Sequence, residues 1–99
     1  MSLKIEKKDG APTFLALEGR LDTVTAADFE KEIGALLSQN DSLTLDFEKL
    51  EYISSAGLRV VLKAQKALAP KNGLKLIKVT KAVKEIFDIT GFSDFLVIE

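Results

Sequence analysis

Hydrophobic spacing in this chain switches between two residues and about 3.6 residues several times, and the order of the switches leaves few folds open. Leu3 and Ile5 alternate with Lys4 and Glu6, as a short strand does. Asp9-Gly10-Ala11-Pro12 is turn chemistry, and Thr13 to Leu17 resumes the alternation, so the first 18 residues predict an antiparallel hairpin. After Gly19-Arg20-Leu21-Asp22 the spacing becomes helical. Ala26, Phe29, Ile33, Leu36 and Leu37 share one face, and Thr25-Ala26-Ala27-Asp28 has the form of a capping box. Asn40-Asp41 closes that helix. Leu43, Leu45 and Phe47 then alternate with Thr44 and Asp46, which predicts a strand beside the hairpin, ending near Phe47.

A second helix is expected after Ser54-Ser55, with Leu58, Val61, Leu62, Gln65 and Leu68 facing inward and Pro70 and Asn72-Gly73 stopping it. Leu74, Leu76, Ile77 and Val79 predict another strand. Thr80 is placed to cap a short helix that buries Val83, Ile86 and Phe87 and ends at Gly91. The segment from Phe92 to Ile98 completes the chain as an edge strand. Strand, helix, strand, helix, strand after an opening hairpin predicts one α/β domain over residues 1–99, with parallel crossovers. The six Phe residues fall at positions expected to be core.

Composition narrows the chemistry more than the length does. The 99 residues include no Cys and no His, which excludes disulfides, thiolate nucleophiles, Ser-His-Asp triads and the usual zinc ligands. Lys and Arg total 14 against 15 Asp and Glu, dispersed along the chain, so no basic stripe predicts nucleic-acid binding. No 18-residue apolar run exists to span a membrane. Met1-Ser2-Leu3-Lys4-Ile5-Glu6 alternates too early for a signal-peptide core, and a soluble, cytoplasmic protein is expected. Asp22, Asp46 and Asp88 are too scattered to predict a metal site, and no cofactor is expected.

One junction concentrates the functional signal: Asp46 to Arg59, where a strand gives way to a helix opening on Ser54-Ser55-Ala56-Gly57-Leu58-Arg59. Loops at the carboxyl ends of strands in α/β sheets are where ligands and partners bind, and helix N-terminal amides favour an anion. Serine before a helix is also an ordinary cap, and a capping hydroxyl is able to serve as a phosphoacceptor as well. An esterase elbow is excluded because Ile53 stands where Gly is required for Ser55, and Gly-rich phosphate loops are missing. Asp22 and Thr23, after the second strand, are candidates for the same sheet edge. The alternative for Asp22 is a helix-capping acid. Arg59, one turn beyond Ser55, is either solvated or within reach of a phosphate on it.

The run Tyr52-Ile53-Ser54-Ser55-Ala56-Gly57-Leu58 resembles the signature of the STAS domain family, named for sulfate transporters and anti-sigma factor antagonists. Glu18-Gly19-Arg20-Leu21-Asp22 and Ile86-Phe87-Asp88-Ile89-Thr90-Gly91-Phe92 resemble the family too, and the likeness covers essentially the whole chain. It implies a four- or five-stranded mixed sheet with helices mainly on one face. It also implies a non-enzymatic anti-sigma factor antagonist. Such a protein binds an anti-sigma factor that is a serine kinase, is switched off by phosphorylation, and is restored by a PP2C-type phosphatase. Ser55 takes the acceptor place, while Ser54 stands where the family has Asp and so becomes a rival acceptor. Ala56 replaces a Ser or Thr, whereas Gly57 and Leu58 match. The alternative implied role is a STAS subunit of a larger assembly, such as a lipid-trafficking ABC transporter or a stress-signalling complex. The implied contact residues are Asp22, Thr23, Ser54, Ser55, Ala56, Gly57, Leu58 and Arg59.

Overall fold

A computed structural model describes residues 3–8, 13–71, 73–92 and 96–98. In chain order the elements are β1 (Leu3–Lys8), β2 (Thr13–Leu21), α1 (Thr25–Leu37), β3 (Ser42–Ile53), α2 (Ser55–Leu68), β4 (Gly73–Ile77), α3 (Lys81–Thr90) and β5 (Val97–Ile98). They form a five-stranded mixed sheet in the order β1-β2-β3-β4-β5. The pair β1–β2 is antiparallel, with Ile5 opposite Leu17, and every other pair is parallel. The expected turn at residues 9–12, Asn72 and Phe95 lie outside the described residues.

The alternation along each strand decides which face is covered. Leu15 and Leu17 of β2, Leu45 and Phe47 of β3 and Leu76 of β4 are at most 1% exposed, and the helices lie over them. Phe29 and Ile33 of α1, Val61, Ala64 and Leu68 of α2, and Val83 and Phe87 of α3 complete the core. Removing each of the larger side chains from water contributes about 1.5–3 kcal/mol, and Ala64 less. Phe87 meets Phe47 with ring centroids 6.4 Å apart. The opposite sheet face carries Lys4, Glu6, Lys8, Ala16 and Glu18, together with Phe14, which lies under the Lys8 ammonium at 5.6 Å. Phe14 is therefore half-exposed on the open face rather than in the core. On α2, Gln65 is only half-buried, and its Oε1 is buried without a hydrogen-bond partner among the described residues.

Sequence expectations are corrected at element boundaries. The last strand, expected from Phe92 to Ile98, is Val97–Ile98 with Phe92 outside it. The third strand does not end near Phe47 but runs 12 residues, to Ile53. Its register against β2 slips twice: Ala16 pairs with Asp46 but Glu18 with Lys49, and Gly19 pairs with Leu50 but Arg20 with Tyr52. Each slip adds one residue to β3, so its buried positions become Phe47, Leu50 and Ile53, a spacing that no longer alternates. Opposite the second slip Gly19 adopts φ +107°, a value that Gly reaches without strain.

The start of α1 is a further correction. Its N-cap is Val24, which makes no side-chain cap bond. The acid that serves the helix start precedes it: Asp22 Oδ1 accepts from the amides of Val24 (3.0 Å) and Thr25 (2.9 Å). An ionised carboxylate only accepts, and placed ahead of the helix it meets amides left without partners. At the other helices Ser54 caps α2 and Thr80 caps α3 through their hydroxyls.

Candidate functional site

The parallel strands β2 and β3 end side by side, with Leu21 opposite Ile53, and each passes at once into a helix. The Ser54 amide donates to the Leu21 carbonyl at 2.8 Å, which ties the two junctions together. Asp22 and Thr23 are thus brought to the same sheet edge as Ser54 and Ser55.

Around Asp22 a local set of hydrogen bonds joins the end of β2 to the start of α1. Thr25 Oγ1 accepts from the Asp22 amide at 2.9 Å and lies 2.9 Å from the Arg20 carbonyl and 3.1 Å from Asp22 Oδ1. These bonds favour the ionised carboxylate. The Thr25 amide is the largest cause; desolvation, the next largest, opposes it, and with the Thr25 hydroxyl and Val24 amide added the Asp22 pKa falls below its ordinary value of 3.8.

At α2 the two serines separate. Ser54 has extended backbone, φ −91° and ψ 173°, is 9% exposed, and its Oγ accepts from the Gly57 amide at 3.3 Å. The Ser54 carbonyl accepts the first intrahelical bond, from the Leu58 amide at 2.9 Å. Ser55 is the first helical residue, and it is exposed. The buried hydroxyl is occupied as a cap and the exposed one is accessible.

Gly57 is buried, and its lack of a side chain serves packing from below. A Cβ there would stand 2.7 Å from Leu21 Cγ and 2.9 Å from Ile53 Cγ1. Only Gly lets this turn of α2 settle on the ends of both strands. Leu58 is 4% exposed and points into the core. Gly57 and Leu58 therefore shape the junction from within, while Thr23, Ser55 and Arg59 are exposed and Asp22 and Ala56 half-buried.

Three neighbours escape a reading by motif. Val24 is 79% exposed beside Asp22, an apolar side chain with no core to enter. Arg20 lies over the Tyr52 ring, 4.5 Å from its centroid, and the signal for this pair was the register, which the slips conceal. A groove of about 370 Å³ runs between α1 and α2, lined among others by Thr23, Ala27, Ala56 and Arg59. The other carboxylates stay apart from this edge: Asp46 accepts from the Glu48 amide, and Asp88 pairs with Lys84 on α3. Among the described residues no helix is long and apolar enough to cross a membrane.

Comparison with known proteins places the arrangement. A family profile described as "Mlab, STAS domain" matches residues 6–98. BtrV of Bordetella bronchiseptica, a candidate anti-sigma factor antagonist, is 38% identical over 94 residues, covering 93% of this chain and 80% of the relative. An anti-sigma factor antagonist from Mycobacterium paratuberculosis superposes with TM-score 0.90 at 22% identity, over 98% of this chain and 85% of that one. The unphosphorylated form of the anti-sigma factor antagonist SpoIIAA gives 0.80 at 20% identity, over 99% and 88%. The phosphorylated form of SpoIIAA from Bacillus gives 0.73 at 19%, over 99% and 91%. At these identities the structural likenesses establish the fold.

Proposed function

The chain belongs to the STAS domain family, and on that premise we propose that it is an anti-sigma factor antagonist switched by phosphorylation of Ser55. The observation that carries this reading is the division between the two serines: Ser54 Oγ is buried and spent on the Gly57 amide, while Ser55 is exposed on the first turn of α2. The family relative described as a candidate antagonist, and SpoIIAA with its phosphorylated and unphosphorylated forms, support the same role.

The proposed partner is an anti-sigma factor with serine-kinase activity. It covers the exposed surface of Thr23, Ser55, Ala56 and Arg59, and through that contact a sigma factor is released. The kinase moves the γ-phosphoryl group of ATP to Ser55 Oγ, releasing ADP and the hydroxyl proton. A phosphate under the partner must then be desolvated. A penalty of about 3 kcal/mol weakens binding more than a hundredfold. A PP2C-type phosphatase reverses the step by hydrolysis. In this scheme the chain offers a face and catalyses nothing, which suits a sequence without His or Cys.

A second reading is a non-catalytic subunit docking constitutively in a larger assembly such as a lipid-trafficking ABC transporter, for which a STAS domain matching residues 6–98 is equally suited. One experiment separates them. The tagged chain and its Ser55→Asp form are recovered from the native cell, and co-purifying proteins are quantified by mass spectrometry. The switch predicts an anti-sigma factor with the parent chain and at least tenfold less with Ser55→Asp. Equal recovery, or a transporter ATPase with both forms, overturns it.

A further inference from the structure

The groove between α1 and α2 is lined by the small side chains Ala26, Ala27 and Ala56 and by two cations of α2, Arg59 and Lys63. Lys63 is already neutralised, because its ammonium lies 3.1 Å from Glu30 Oε2 across the groove. Arg59 is exposed and has no ion pair, hydrogen bond or ring contact among the described residues. The chain's other arginine, Arg20, is engaged with Tyr52. The groove mouth thus carries one uncompensated guanidinium.

Its position gives that charge a use. Ser55 and Arg59 are four residues apart on α2, so they are neighbours on one helix face, with Cβ atoms about 5–6 Å apart. Helical side chains lean toward the N-terminus, over the preceding turn, and the turn preceding Arg59 is the one that holds Ser55, whereas Lys63 is one turn further on. A guanidinium fork matches phosphate oxygens bidentately, whereas an ammonium offers only a point charge.

Building on the proposed modification of Ser55, we infer that Arg59 clamps the phosphate in cis and makes phosphorylation a reversal of charge at the groove mouth. Unmodified, the mouth carries the +1 of Arg59 and suits a protein partner that presents a carboxylate beside small side chains. The phosphate adds about −1.5 to −2. With Arg59 drawn onto it, the mouth becomes net negative, and the same carboxylate loses its cation and meets an anion. Arg59 thereby acts as a specificity-determining residue for an acidic partner surface.

The test needs no kinase. Phosphoserine is installed at position 55 of the full chain by genetic code expansion, and the second phosphate ionisation is followed by ³¹P NMR. The expected pKa in the parent background is about half a unit below that in Arg59→Gln, with Arg59→Lys between the two. Salt at about 1 M shrinks the difference. Equal ionisation in the parent and Arg59→Gln backgrounds overturns the inference. The two readings fail separately: a Ser55 never phosphorylated in cells removes the proposed switch and leaves the ionisation result standing, while an unshifted ionisation removes only the clamp.

Discussion

Two helices start side by side at the ends of β2 and β3, and their first turns are built on opposite plans. The α1 start is closed by a fixed charge: Asp22 takes the amides of Val24 and Thr25, and Thr25 ties back to the end of β2. The α2 start is closed by a neutral hydroxyl, Ser54, which is buried and leaves the next hydroxyl exposed. A carboxylate near a helix N-terminus is stabilised by the amides there, and a second anion beside it is repelled. Placing the permanent charge on α1 and none in the first turn of α2 keeps Ser55 a site where negative charge is able to come and go. The tie between the junctions, Ser54 amide to Leu21 carbonyl, holds the changing site against the fixed one.

The largest way to break this pairing is to fill the space between them. Gly57→Val drives its side chain into Leu21 and Ile53, already 2.7 and 2.9 Å from a Cβ alone, and is expected to cost about 3 kcal/mol, read as a lower urea midpoint. Next comes the fixed charge itself. Because the Asp22 pKa is held below 3.8, its stabilisation is full above the unfolded value and is lost as pH falls through the folded one. Urea titrations from pH 7 to pH 2 should therefore show a weaker acid-induced loss for Asp22→Asn than for the parent. An identical pH dependence would contradict the plan described for α1. Smaller again is the neutral cap: Ser54→Ala is expected to lose about 1 kcal/mol, with no change in that pH profile. The smallest effect falls on Ser55→Ala, expected within about 0.5 kcal/mol of the parent because the residue is exposed and outside the cap.

How far the sequence alone disclosed this arrangement differs by element. The hairpin, α2 and α3 were legible because Leu15 and Leu17, Leu58 and Val61, and Val83 and Phe87 keep the period of their element and all enter the core. The last six residues of β3 were not, because two added residues replace alternation by the spacing Phe47, Leu50, Ile53, which matches neither simple pattern. The capping-box motif at Thr25 misled for a related reason: Thr25 is buried and bonded to the end of β2, so the carboxylate that serves the helix lies upstream, at Asp22. The family register put Ser55 in the acceptor place, yet it left open which serine caps the helix. Only the extended backbone at Ser54 and the helical start at Ser55 divide cap from surface hydroxyl.

Assignment of the modification to the exposed hydroxyl, and not the capping one, is open to experiment. Its most direct test is phosphosite mapping by mass spectrometry on the parent, Ser54→Ala and Ser55→Ala chains, each expressed in the native cell. Phosphate on Ser55 in the parent, retained in Ser54→Ala and absent from Ser55→Ala, is the predicted result. Phosphate on Ser54, or labelling that survives in Ser55→Ala, would place the modification elsewhere and overturn the proposed switch.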